Sequence, residues 1–110
     1  MSDRINLAYF NRGSFTTAPI NFSASGDNII IAAVSGLIIR VLRIKLSFSG
    51  NTNILIKDGA TVLDGPLFFL ANGGMVLDNS SVPWYTAQGN FVINSSNAVQ
   101  VGGNVDYLQD

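Results

Sequence analysis

Apolar and polar residues alternate along this chain with the two-residue period of half-buried strands, and no window holds a helical period over three turns. Gly, Asn, Asp and Ser punctuate it every eight to twelve residues or so, with β-branched and aromatic residues filling the gaps. After Pro19, residues 20–24 (Ile-Asn-Phe-Ser-Ala) alternate as a strand, and Ser25-Gly26-Asp27-Asn28 reads as a turn. Ile29 to Val34 is a continuous apolar run, which predicts a central strand covered on both faces. Leu37 to Phe48 predicts the longest strand. One face is apolar (Ile38, Leu42, Ile44, Leu46, Phe48) and broken by Arg40; the other switches from apolar to cationic at Arg43 and Lys45, unless a bulge resets the register.

The second half continues in short strands. Ile54 and Ile56 point inward, Asp58-Gly59 is a hairpin signal, and Asp64-Gly65-Pro66 breaks the returning strand. Short strands follow at 67–70, 75–77, 82–85, 91–94 and 98–101. Gly102-Gly103 then interrupts a last strand, marking a bulge or a close backbone approach. The prediction is an all-β, single-domain sandwich of about eight strands, jelly-roll-like.

Residues 1–16 read differently. Ile5, Leu7 and Tyr9 alternate, followed by Phe10 and Phe15, with Arg4 and Arg12 among them. This pattern fits a first strand, or an extended arm that adds to a neighbour's sheet edge. The lack of a clear hairpin turn back to residues 17–24 favours an N-terminal arm over 1–16 and a sandwich domain over 17–110.

Composition turns this fold towards adhesion. Charged residues are 12% of the chain, about half the ~25% of ordinary soluble domains. Asn, Ser, Thr and Gly take their place, which suits a surface docked against other chains, because interface centres are depleted in charge. A net charge of −1 offers no basic field for nucleic acid. The apolar stretch 29–39 is too short to span a bilayer. His, Cys and Glu are absent, so Ser-His and Cys-His nucleophiles and a His/Cys zinc site are impossible, and no enzyme activity or cofactor is expected. The aspartates mostly sit at turns, where their side chains cap their own backbone. Trp84 and Tyr85 are adjacent, so on a strand one faces the core and the other solvent. Trp84 is then either a plug for the end of the core or an exposed contact for a sugar ring or a protein.

The order of short motifs from Ile29 onward carries a resemblance. These are Val34-Ser35-Gly36, Ile39-Arg40-Val41-Leu42, Lys57-Asp58-Gly59, Thr61-Val62-Leu63-Asp64-Gly65-Pro66, Ala71-Asn72-Gly73-Gly74, Asn94-Ser95-Ser96-Asn97-Ala98-Val99 and Val101-Gly102-Gly103. Each alone is a turn signal; in succession, over roughly 80 residues, they resemble small structural proteins of tailed bacteriophages. The resemblance implies a virion component, best matched by a capsid cement (decoration) protein on the outer capsid surface, assembled in the host cytoplasm. Its partners would be the major capsid protein and further copies of itself, as a dimer or trimer. The first sixteen residues lie outside the resemblance. They are read as the docking arm, with Ile5, Leu7, Tyr9, Phe10 and Phe15 as anchors and Arg4 and Arg12 pairing capsid carboxylates. The alternatives are a carbohydrate- or receptor-binding module of a phage tail or capsid surface, using Trp84 and Tyr85, and a tail-tube or baseplate component.

Overall fold

The computed structural model describes residues 15–78 and 81–110. Nine strands form two antiparallel sheets: β1 (Thr16–Phe22), β2 (Gly26–Ile31), β3 (Ile39–Phe48), β4 (Thr52–Asp58), β5 (Thr61–Phe69), β6 (Gly74–Leu77), β7 (Tyr85–Ala87), β8 (Phe91–Ser95) and β9 (Val101–Gln109). The first sheet runs β1-β9-β3-β6, with β7 sharing the edge position of β6 beside β3; the second runs β2-β8-β4-β5. Pairing is nested: β1 with β9, β2 with β8, β3 with β6 and β7, β4 with β5. That is one long antiparallel ribbon whose tip is the β4–β5 hairpin, rolled so that successive pairs fall in alternate sheets. This winding is a jelly roll.

The ribbon closes on a core of Ile20, Ile39, Val41, Ile44, Leu46 and Phe48 from the first sheet, facing Ile31, Ile54, Ile56, Phe91 and Ile93 from the second. Among the described residues, two aromatic contacts link the sheets. Phe48 stacks on Phe69 at a centroid separation of 4.2 Å, and Tyr85 tilts against Phe91 at 6.2 Å. One buried polar pair, Thr52 and Ser95, is satisfied internally. Their hydroxyls lie 2.7 Å apart, the Ser95 hydroxyl reaches the Asn97 carbonyl, and the Asn97 amide donates to Thr52. The Asn- and Ser-rich stretch after β8 thus ties one end of the sandwich.

Several strand expectations are corrected. Ile29 to Val34 is not a central strand covered on both faces. β2 stops at Ile31 and lies at a sheet edge, and Ile29 and Val34 are exposed. The break at Asp64-Gly65-Pro66 is an irregularity within one nine-residue strand, where pairing with β4 shifts register, and not a strand end. Likewise Gly102 and Gly103 lie inside β9. β1 begins at Thr16, one residue inside the expected arm. In β3 the register shifts between Val41 and Arg43 where it pairs with β9. Ile39 and Val41 point into the core before the bulge, and Ile44, Leu46 and Phe48 after it. The bulge therefore moves Arg40, Arg43 and Lys45 onto one outer face, where uninterrupted alternation had set Arg40 apart.

Candidate docking surface

The two sheets present outer faces of opposite character. On the first, Arg40 pairs with Asp110 at 2.9 Å, and Arg43 reaches Asp78 at 3.5 Å and Asn104 at 3.1 Å. Lys45 is exposed, and Thr17 donates to Asp106 at 2.7 Å. This face carries three cations side by side, two of them paired with aspartates, and exposed Val76 opposite Lys45.

The outer face of the second sheet is built from cross-strand rows, since paired residues share a face. One row runs Ile29, Val92, Lys57, Val62 across all four strands. The next begins Asp27, Asn94, Leu55. Further along, Asn53 opposes Phe68. Ile29 is 61% exposed, Val62 49% and Phe68 74%, and Leu70, just past the end of β5, is 72% exposed. The only cation in these rows, Lys57, is neutralised in place. Its ammonium donates to both carboxylate oxygens of Asp27 at 3.0 Å, and Asn94 donates to the same carboxylate at 2.7 Å. These donors, Asn94 first and Lys57 second, hold the Asp27 carboxyl below its ordinary range. The result is an apolar face with its charge cancelled inside, bordered by the β5 edge strand.

Trp84 and Tyr85 part as neighbouring strand residues do. Trp84 is 45% exposed and does not plug the core; its indole N–H donates to the Asp78 carbonyl at 2.6 Å, which leaves a ring face towards solvent. Tyr85 packs against the core, and its hydroxyl donates to Asp64 Oδ2 at 2.6 Å. That bond joins β7, at the edge of the first sheet, to β5, at the edge of the second. Burial, reinforced by the Asp64 carboxylate, pushes the Tyr85 hydroxyl well above its ordinary value of 10.0. A raised folded-state value stabilises the fold fully below pH 10, and that contribution is lost as pH rises beyond it. Tyr85→Phe is expected to cost about 1.5–3 kcal/mol, the range for a hydrogen bond to a charged group. Urea melts from pH 7 to 11 should show a shallower alkaline loss of stability in the variant than in the wild type.

Of the residues picked from sequence for docking, Phe15 is exposed just before β1. Arg4, Ile5, Leu7, Tyr9, Phe10 and Arg12 lie outside the described residues. Sequence reasoning passed over Ile29, Val62, Phe68 and Leu70. The signal was present in Leu67-Phe68-Phe69-Leu70: four consecutive apolar residues on a strand must turn some side chains outward.

Shallow depressions mark the surface of the described residues. One is lined by residues 33–38 with Gln88, another by residues from 47–49, 72–73 and 100–102, and no titratable side chain lines either. Asp58 accepts the Gly89 amide at 2.8 Å and Asp64 accepts Tyr85, so both carboxylates hold the fold together. Among the described residues, no three His, Cys, Asp or Glu side chains come together as a metal-binding group. Comparison with known protein families and with curated proteins finds no match for this chain.

Proposed function

We propose that this chain is a bacteriophage capsid decoration protein, which binds the outer capsid and clamps neighbouring major capsid subunits. The observation that carries the reading is the concentration of exposed Ile29, Val62, Phe68 and Leu70 on one face and edge of a sparsely charged jelly roll. Contiguous apolar patches on soluble proteins mark protein contacts. The motif succession from Val34 to Gly103 supports a virion setting, and jelly rolls are common in capsid and lectin domains. Clamping acts by mass action: a ligand that binds only the assembled shell favours that shell. Weak contacts suffice, because a shell presenting many sites converts them into avidity.

The test uses purified chain and phage shells assembled without it. The full chain is expected to co-sediment with the shells and raise their resistance to heating. A chain starting at Phe15 keeps β1 and the whole sandwich, and is expected to bind at least about tenfold more weakly, because it lacks the apolar anchors and Arg4 and Arg12. Failure of the full chain to bind overturns the reading. Equal binding by the shortened chain removes the arm from the contact.

The exposed Trp84 supports a second reading, a carbohydrate-binding module. Its ring offers a stacking face while its N–H is held by the backbone. Glycan binding that Trp84→Ala abolishes, with no shell binding by either protein, would select it.

A further inference from the structure

We propose that Asn72, in the turn between β5 and β6, is a site of covalent self-modification, where the chain loses ammonia through a succinimide and becomes isoaspartate or aspartate. The inference goes beyond the decoration reading and stands whether or not the chain binds shells.

The chemistry needs only the chain and water. The peptide nitrogen of Gly73 attacks Cγ of Asn72 and gives up its proton to solvent base. The new N–Cγ bond closes a five-membered ring, and the Cγ–Nδ2 bond breaks as Nδ2 takes a proton from water and leaves as ammonia. Water then opens the ring. Attack at Cγ restores the main chain and gives aspartate; attack at the main-chain carbonyl of residue 72 leaves Gly73 joined through Cγ and gives isoaspartate. Nothing is oxidised or reduced. A glycine on the C-terminal side permits the attack, because it has no Cβ to screen its nitrogen. Asn72-Gly73 is the one Asn-Gly pair in the chain.

The structure selects the same residue a second way. Asn72 is exposed, and its side chain takes no hydrogen bond among the described residues. The other described asparagines are held or screened. Asn51 and Asn90 accept the amides of Ala71 and Ala33 at 2.9 and 2.7 Å. Asn28, Asn94 and Asn97 donate to Ala24, Asp27 and Asn51. Asn104 accepts Arg43, and Asn21 accepts Gln100. Asn53 is followed by β-branched Ile54, which covers its peptide nitrogen. The Asp-Gly pairs compete poorly, because Asp58 and Asp64 hold Gly89 and Tyr85 and an ionised carboxylate resists attack.

The turn sets the rate. Asn72 holds φ at +63°, a left-handed conformation that asparagine tolerates. The Gly73 amide donates to the Leu70 carbonyl at 2.9 Å, the Asn72 amide donates to the Phe48 carbonyl at 2.8 Å, and the Phe48 amide donates to the Gly73 carbonyl at 3.0 Å. The attacking nitrogen is therefore engaged, and the peptides around it are pinned to β3. It must be released before it can turn onto Cγ, so the folded chain reacts through local opening. β6 has four residues and lies at a sheet edge, which keeps that opening small. Once formed, isoaspartate adds a methylene to the main chain between positions 72 and 73. The paired bonds to Phe48 lose their spacing there, beside the Phe48–Phe69 stack. Either product also adds one negative charge to each copy.

The test holds the full chain in neutral to mildly alkaline buffer, with and without urea, and follows released ammonia and peptide masses. A gain of about 1 Da is expected in the peptide holding residues 72–73, with isoaspartate detected by enzymatic carboxyl methylation. Its rate should rise about tenfold per pH unit, because the attacking nitrogen must lose its proton. The folded chain should react at least about tenfold more slowly than the chain in urea, because the turn must open. Asn51→Ala removes the acceptor of the Ala71 amide and should speed the folded reaction several-fold. Asn72→Gly suits the positive φ, so it should fold and show no gain at this site. Aged wild-type protein should melt at least a few degrees below fresh protein, while Asn72→Gly should not change with age. No gain at residues 72–73 in urea, a faster gain at another asparagine in urea, or equal rates with and without urea would overturn the assignment.

Discussion

Gly103→Ala is expected to remove most of the stability of this fold, costing about 4 kcal/mol or more against the roughly 5–15 kcal/mol that holds a domain together. β9 lies between β1 and β3 at the centre of the first sheet. Gly103 pairs with Leu46 on one side and Ile20 on the other. It holds φ at +147°, and a Cβ added there would sit 1.8 Å from the Lys45 carbonyl oxygen and 2.7 Å from its carbon. Both are backbone atoms of β3, so relief requires the two central strands to separate along the core residues Ile44 and Leu46. Gly26→Ala supplies the control. Its φ of +88° is also unfavourable for alanine, but nothing lies within 4 Å of the added carbon. That variant should lose only the conformational cost of about 1–2 kcal/mol. Thermal melts of the pair separate the two causes: Gly26→Ala melts a few degrees lower, whereas Gly103→Ala loses most of its stability and melts far below the wild type. Equal, small losses in both would mean that β3 and β9 are less tightly apposed than described.

How much of this was open to reading depends on the range of the interaction. Local patterns resolved well. The hairpin at Asp58-Gly59, whose loop is Gly59-Ala60, one residue on from the expected pair, the turn at Asn72-Gly73 and the close approach at Gly102-Gly103 all rest on the backbone needs of a few adjacent residues, and composition states those needs. Local reading failed where one strand's fate is decided by another. Ile29 to Val34 has the apolar run of a strand covered on both faces, yet β2 is an edge strand with Ile29 exposed. A run of apolar residues records only that the chain expects cover, not whether its own core or a second molecule supplies it. Asp64-Gly65-Pro66 has the composition of a break, but pairing with β4 carries β5 through it with a register shift. The bulge at Val41 to Arg43 was foreseen as a possibility; which face the three cations share is settled only by β9, some sixty residues away. The Tyr85–Asp64 bond joins strands that have no pairing between them, and no spacing rule announces it. Side chains in residues 1–14, on which most of the arm reading rests, fall outside the described residues.

The two exposed faces therefore ask different things of the protein's surroundings. Arg40 and Arg43 already have acidic partners in their own chain, and such exposed pairs contribute little to stability. On the second sheet's face Phe68, Ile29 and Leu70 stand exposed among the described residues, the apolar surface that the decoration reading would bury. Under the decoration reading, the apolar face is the one completed on the shell.

Two phenylalanines of the second sheet put that division to a measurement. Phe91→Ala is expected to destabilise the monomer by about 3–5 kcal/mol, because the ring is fully buried against Tyr85 and the inter-sheet core, and its removal leaves a cavity. Phe68→Ala, at 74% exposure, should change the dilute monomer by no more than about 0.5 kcal/mol. The two variants should also differ in how added phage shells act. Partner binding stabilises only the folded state, so under the decoration reading shells should raise the wild-type melting temperature. Phe91→Ala should keep that rise from a lower baseline, since its defect lies inside the sandwich, while Phe68→Ala should flatten it. Thermal melts of the three dye-labelled proteins, with and without shells, read both effects at once. A Phe68→Ala protein that retains the full rise would show that this face is not where the molecule seeks its cover, whereas a Phe91→Ala protein as stable as the wild type would mean that the core between the sheets is not what holds the roll closed.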